Sequence, residues 1–462
     1  MLRDRYEPMD IFQIVSGLTL AMEPELAQLD RLLEDDTLFQ KVKNDLGKRF
    51  PRTLIDGRLS TPVEVILRMI VIKHLYGWSY EKTEHWVSDS LVLRQFCRVY
   101  LNRVPDDTTL IRWAKLIRPD TLHQLLDHVS EMAHDLKATR GRRLRTDGTV
   151  VETNIHYPTD STLLGEGIRV LSRVLKASKK GLDKVTNLSP QVFRDRTRSA
   201  KRQVRRIMEA ARKRGEEAEQ GMKAAYQRLL TTSETMVQQA KKVKEALKAY
   251  ATPVAQKLLH TLDQFVPLVE QVINQTTRRV LYGELVPAGE KLVSLFEPHT
   301  RIISKGKVQR PTEFGRAIWL DEVDGGVITR YEILDGNPGD AEQIKSTLDH
   351  HISVFHKPPQ LLTGDRGTYS ADNERYAQSK GVKYTAIPKP GAKSPNRVIH
   401  EKQPWFRRGH KWRSVIEGRI SLLKRRYKLE RCLYHGEDGM ERWVGWGVIA
   451  HDLWVIANKT AS

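Results

Sequence analysis

The feature that most constrains this chain is a change of residue period that happens twice. Strand-like alternation over Leu144–Val151 gives way to helical spacing from about Gly165 to Gln275, and strand character returns at Arg316–Val323 and Val327–Leu334. Such a chain is neither all-helical nor all-β, because a helical block interrupts strands that lie on both sides of it. Within the block Met222, Tyr226, Leu229, Met236, Val237, Ala240, Val243 and Leu247 recur at three- and four-residue steps, which predicts a long hairpin or bundle with a break near Pro253.

The first part of the chain reads as helices. Thr61, Pro62 and Glu64 form a capping-box start, and Val63, Ile66, Leu67, Ile70, Val71 and Leu75 then fall on one face of an amphipathic helix. Gly77 stops it, Ser79 opens a second helix, a third runs near Leu91–Cys97, and Asp107 caps the one carrying Leu110, Ile111 and Trp113. Another extends from about Asp120 to Leu136. This segment suits a helix-turn-helix DNA reader and a helical cap or dimerisation domain equally well.

After the block, Asp324, Gly325 and Gly326 signal a hairpin turn, and Asn337–Asp340 starts a helix through Ile344 and Leu348. Gln360–Thr363 reads as a buried strand ending in the turn Gly364, Asp365, Arg366, Gly367. A helix near Ala371–Lys380, a strand at Lys383–Ile387 and a helix from His410 to about Tyr427 follow. With the helical block removed, this order is compatible with an α/β, ribonuclease-H-like mixed sheet, although other mixed folds share it. The expected organisation is a helical domain over 1–138, a catalytic domain over 139–175 and 290–462, and a helical insertion over 176–289.

Charge narrows the partner. With 77 Lys and Arg against 57 Asp and Glu the chain carries +20, so a polyanion is attracted at long range; nucleic acid is the first expectation and a membrane surface the second. The stretch Lys176–Arg214 holds 14 basic and 3 acidic residues, an imbalance that phosphate contacts explain better than a solvated face. Cys97 and Cys432 stand far apart, which gives neither a disulfide framework nor a structural zinc site. Arg3, Asp4, Arg5 and Glu7 do not make a signal peptide, and no apolar run approaches the ~18 residues of a spanning helix. A cytoplasmic, nucleoid-associated protein is expected.

Three carboxylates stand out: Asp147 inside a strand, Asp365 at a strand tip and Glu417 on a late helix. Phosphodiester chemistry needs a nucleophilic oxygen activated and a leaving oxygen stabilised, which two Mg²⁺ ions about 3.5–4 Å apart do when acidic side chains converge on them. Each acid taken alone has a structural reading: an edge-strand Asp bonded to backbone or Arg145, a turn Asp, an ion-paired Glu. His410, Arg413, Glu417 and Lys424 are spaced to share one side of a continuous helix. Asp340 reads as a helix N-cap, and Asp160, Asp321 and Glu401 as surface or turn groups.

The segments DGTVVETNIHYPTDS, TGDRG and RSVIEGRISLLKRR resemble, in order, the three acidic blocks of DDE transposases of bacterial insertion sequences, in the broad IS4 and IS5 superfamily and nearest its IS1202-like group. Arg413, Glu417 and Lys424 match the tyrosine, arginine, glutamate, lysine signature in spacing, and His410 takes the place of the tyrosine. The segment Thr61–Arg112, with PDDTTLIRW, and the closing WVGWGVIAHDL are similar to the helical ends of such enzymes. The resemblance implies that Asp147, Asp365 and Glu417 hold two Mg²⁺ or Mn²⁺ ions, that His410, Arg413 and Lys424 hold DNA nearby, and that a homodimer or larger assembly works on paired DNA ends and target DNA. A ribonuclease-H-like nuclease and a catalytically inactive DNA-binding relative are the alternatives.

Overall fold

The structure, a computed structural model, describes residues 1–7, 22–50, 52–182, 192, 194–304 and 312–461. It divides into two compact units, Met1–Glu152 with Arg316–Ser462, and Thr153–Gly315.

The first unit opens with helices α1 (Pro24–Leu32), α2 (Asp36–Leu46), α3 (Val63–Leu75), α4 (Tyr80–Asp89), α5 (Leu91–Phe96), α6 (Asp107–Ala114) and α7 (Pro119–Asp135). Side chains of Asp35, Ser79, Ser90 and Asp106 accept the first free N–H groups of α2, α4, α5 and α6, so the cap of α6 is Asp106 and not Asp107. Helix α3 departs further from expectation. Pro62 precedes it without a side-chain cap, and every residue from Val63 to Leu75 is buried. A helix apolar on most of its circumference belongs in the centre of a core, and there its polar residues must find partners. Glu64 accepts from Arg68 Nε at 3.2 Å, and Arg68 also donates to Asp30 at 2.6 Å and to the Phe96 carbonyl. These helices share one hydrophobic core with the sheet: Leu29, Ile70 and Val129 belong to the same cluster as Leu144, Trp319, Leu362 and Trp446. The boundary suggested near 138 falls inside this unit.

Strand β1 (Arg143–Thr153) leads into the second unit, whose helices are α8 (Asp160–Leu182), α9 (Thr197–Ala210), α10 (Glu216–Leu247) and α11 (Pro253–Thr276). They enclose a separate core that includes Leu164, Ile168, Leu229, Met236 and Val269. Pro253 occupies the first turn of α11, where its missing N–H costs nothing. Of the basic stretch Lys176–Arg214, residues 183–191 and 193 lie outside the described residues. In α9, Ala200, Gln203 and Ile207 turn inward while Arg198, Lys201, Arg202 and Arg206 are exposed. Strand β2 (Arg301–Ser304) pairs antiparallel with Thr312–Gly315, the start of β3 (Thr312–Val323).

The rest of β3 returns to the first unit and pairs antiparallel with β4 (Ile328–Ile333). The connecting turn places Gly325 and Gly326 at φ +94° and +83°, conformations open to glycine. Then come α12 (Gln343–Phe355), β5 (Leu361–Thr363), α13 (Ala371–Ser379), β6 (Tyr384–Ala386), α14 (Pro395–Lys402), α15 (Pro404–Arg413), α16 (Val415–Arg426), β7 (Arg431–Cys432) and α17 (Glu437–Thr460). The sheet of this unit runs β4–β3–β1–β5–β6, with β1–β5 and β5–β6 parallel, and β7 beside the far end of β1. It is a mixed α/β sheet. The continuous helix expected from His410 to Tyr427 is instead two helices, α15 and α16, that meet at Ser414.

Candidate active site

The parallel register of β1 and β5 brings the first two acids together. Arg143 pairs with Leu361, Leu144 with Leu362 and Arg145 with Thr363. Carried on by two residues, that register sets Asp147 level with Asp365, just past the end of β5. Arg145 and Asp147 lie two residues apart and so share a face of the strand. That face meets the junction of α15 and α16. Arg145 donates to the Trp412 carbonyl at 2.6 Å, its guanidinium lies 4.6 Å from the centre of the Trp412 ring, and Asp147 accepts from Arg413 at 2.8 Å.

One buried carboxylate ties these pieces. Glu322 on β3 accepts from Arg145 Nε at 3.0 Å and from its terminal nitrogen at 2.6 Å, and it also accepts from Arg419 on α16 at 3.2 Å. Arg419 reaches His451 of α17, whose Nδ1 lies 2.7 Å from Asp452. The strand that carries Asp147 and the helix that carries Glu417 are thus joined through a charge that is 1% exposed.

Arg413 spans the second gap. One terminal nitrogen donates to Asp147 and the other to Glu417 at 3.2 Å, while its buried Nε has no acceptor among the described residues. Glu417 is 69% exposed, so α16 offers its carboxylate to solvent. Asp365 accepts from the Thr368 N–H at 3.1 Å, which turns the chain sharply after β5.

The structure adds an acid. Asp340 is not an N-cap; Gly339 holds that position in a short 3-10 turn, Asp340–Glu342. Its carboxylate faces Asp365 across Gly367. A Cβ on Gly367 would stand 2.8 Å from Asp340 Oδ2 and 3.3 Å from Asp365 Oδ1, so a side chain there would push the two carboxylates from these positions. Gly148, the neighbour of Asp147, comes close to the other Asp340 oxygen. The signal that identifies Asp340 is its fold neighbourhood, since the sequence Asn-Pro-Gly-Asp reads equally well as a helix start.

The electrostatics match this grouping. Burial pushes the Asp147 carboxyl up to about 6; Arg413 and the Gly148 N–H oppose the shift, and Asp365 and Glu417 add to it. Burial also raises Asp340, with Asp365 adding and Arg413 opposing. Acids that repel one another in a half-buried place, apart from one guanidinium, are short of positive charge.

The other expected residues are placed differently. His410 is exposed on α15 and lines a recess of about 300 Å³ with Arg366, Lys411 and Arg407. Lys424, about two turns beyond Glu417, lines a larger cavity at the other end of α16. Asp321 is buried on the opposite face of the sheet, where it accepts from Thr146, Trp319 and Thr347, and is no surface group. Asp160 belongs to the second unit, also buried, and pairs with Arg279 and Gln275. Glu401 accepts from Arg397, Lys393 and the Lys389 N–H, and its side chain is only 13% exposed.

Among the described residues no group of three or more His, Cys, Asp or Glu side chains stands ready to hold a metal ion. The donor chemistry nevertheless suits a hard divalent cation: carboxylate oxygens predominate, burial with some mutual repulsion raises Asp147 and Asp340, and the Arg413 guanidinium fills the place of positive charge between Asp147 and Glu417.

Residues 19–116 match the family described as Transposase domain (DUF772), and residues 322–453 match the Transposase DDE domain. Together they indicate a transposase. The DDE match contains Asp340, Asp365 and Glu417, while Asp147 lies outside both matches. A DDE domain implies a metal-dependent DNA-cutting enzyme with DNA as its partner. No curated protein and no solved structure matches this chain. Among its described residues no helix is long and apolar enough to cross a membrane.

Proposed function

We propose that this transposase binds the terminal inverted repeats of an insertion sequence, cuts the phosphodiester bonds at its ends and joins the freed 3′-hydroxyls to target DNA. The observation that carries the reading is the register of β1 and β5, which levels Asp147 with Asp365 beside a helix whose Glu417 shares Arg413 with Asp147. In this reading Asp147, Asp365 and Glu417 hold the divalent metal, Mg²⁺ or Mn²⁺. The metal pair supplies Lewis-acid activation of the attacking oxygen and charge stabilisation of the leaving one. Arg413, with a donor to spare, turns to a DNA phosphate, and His410 with Arg366 and Lys411 continues the basic track. The strand order β4–β3–β1–β5–β6, with its parallel β1–β5 pair and antiparallel β3–β4 hairpin, supports a ribonuclease-H-like core, and the three acidic segments are what suggest the IS4 and IS5 superfamily, nearest its IS1202-like group. The bundle inserted after β1 presents Arg198, Lys201, Arg202 and Arg206 to the DNA backbone. Work on paired ends calls for a homodimer or larger assembly, placed with the nucleoid in the cytoplasm.

The test uses purified protein, DNA carrying the inverted repeats that flank the coding region, and Mg²⁺. Nicking at the repeat ends and joining to a target plasmid are expected, both abolished by Asp365→Asn with end binding retained. Cutting without joining would identify a nuclease, binding without either an inactive relative, and full cutting by Asp365→Asn would overturn the assignment of the site.

A further inference from the structure

A second cavity in the first unit is lined by none of the four acids. It encloses about 750 Å³, within the usual range of small-ligand pockets, and lies where the end of α3 and the start of α4 meet the α16–β7 connection and the first turns of α17. Trp78, Tyr80, Tyr434 and Trp443 line it. The Tyr80 and Tyr434 rings stack at 5.8 Å, and their hydroxyls are 2.6 Å apart.

Into this aromatic wall projects Lys73. Its ammonium stands 4.8 Å from the Tyr80 ring centre and 5.0 Å from those of Tyr434 and Trp443. The residue is 3% exposed, and among the described residues the buried Cys432 is the neighbour that favours its charge. Burying an ammonium is expensive, and ring faces return only part of that cost. Burial accordingly holds Lys73 down at about 7. A core position needing only volume is filled more cheaply by Met or Leu, so the charge asks for an acceptor from outside. The rim is basic as well: exposed Lys115 and Lys428 border the opening against the single lining carboxylate of Glu430, while Arg431 and Arg442 there pair with Glu152 and Asp438. From the mouth a stack of rings runs outward, Tyr76 on Trp78 at 4.6 Å and Trp78 on Trp86 at 6.1 Å, with Tyr76 and Trp86 exposed.

We propose that this cavity binds one nucleotide unit, its base lodged against the aromatic wall, an oxygen or nitrogen acceptor of the ring meeting Lys73, and its phosphate drawn to Lys115 and Lys428. Every nucleotide offers a flat π-face beside a fixed negative charge, and aromatic platforms with basic rims recognise that pair. The unit comes either free from solution or as part of a DNA strand; the ligand chemistry is the same. The proposal does not depend on the cutting and joining reaction.

The test follows the fluorescence of 2-aminopurine, which stacking quenches, in the full-length protein without metal. The probes are 2-aminopurine deoxyribonucleoside monophosphate, the nucleoside lacking phosphate, and a single-stranded oligonucleotide with one 2-aminopurine. Saturable quenching is expected with the monophosphate or the oligonucleotide, at least ~10-fold tighter than with the nucleoside. Lys73→Met and Trp78→Ala should each weaken it by about 10-fold or more. The exposed pair Lys115→Ala and Lys428→Ala, which leaves the core intact, should weaken it while leaving Tm unchanged. Quenching of the free monophosphate assigns a ligand from solution, and quenching of the oligonucleotide alone assigns a strand. No saturable quenching by either, or equal affinity in all three variants, would overturn the proposal.

Discussion

Arg413 is the residue on which the site turns. It neutralises Asp147 and reaches Glu417, so the acids stand beside one another at the cost of one guanidinium. The motifs around Asp147, Asp365 and Glu417 were legible in sequence because they come in order. Asp340 was not, because its value lies in facing Asp365 across Gly367, a relation made only by the fold. If Asp340 shapes the metal-binding charge, Asp340→Asn should raise the Mg²⁺ concentration for half-maximal cleavage about tenfold with DNA affinity unchanged, a shift typical of removing an outer-shell partner. An unaltered Mg²⁺ titration would remove Asp340 from the site. Glu401 behaves oppositely. Burial pushes its carboxyl up, but Lys393, Arg397 and the Lys389 N–H outweigh burial and hold it at about 2. A carboxylate depressed in the folded state contributes stability that is complete above its ordinary value near 4.5 and is lost as pH falls toward 2. Glu401→Gln should therefore lower Tm at pH 7, and thermal melts of variant and parent should converge as the pH drops through that window.

At the scale of elements, the separation of 218 positions from Asp147 to Asp365 equals the register offset of β1 on β5, so the spacing is a property of a strand pair and the helical insertion only lengthens it. The strands, hairpin and helix order were readable from period and turn residues. The all-round burial of α3 was not, since Glu64, Arg68, Lys73 and His74 look like solvent-facing positions until tertiary partners are known. The break at Ser414 was equally hidden, because nothing in Trp412–Val415 is a helix breaker. Glu322 gives this level its test. It clamps Arg145 of β1 and Arg419 of α16, and its removal leaves the buried Arg145 and the partly buried Arg419 without a carboxylate partner. Glu322→Ala should cost about 3–5 kcal/mol in urea unfolding. Glu322→Asp, which restores charge on a shorter arm, should recover stability while Mg²⁺ half-saturation stays raised. Recovery of both together would make Glu322 a stability residue alone.

For the whole molecule, the positive charge is apportioned unevenly, and the exposed basic face of α9 carries part of it on the second unit. Replacing Arg198, Lys201, Arg202 and Arg206 with alanine should flatten the dependence of DNA affinity on salt, by about 0.9 in the log–log slope for each DNA phosphate that is no longer neutralised. An unchanged slope would assign the charge to solvation of the bundle. The central claim is that Asp147, Asp365 and Glu417 serve one metal-binding centre, and exchange of ligand softness tests it most directly. Thiolates favour softer ions than carboxylates do. Asp147→Cys, Asp365→Cys and Glu417→Cys should each lose end cleavage in Mg²⁺ and regain it when Mn²⁺ or Cd²⁺ is supplied. Cleavage in Mg²⁺ by any of the three, or failure of every softer ion to restore a folded variant, would contradict it.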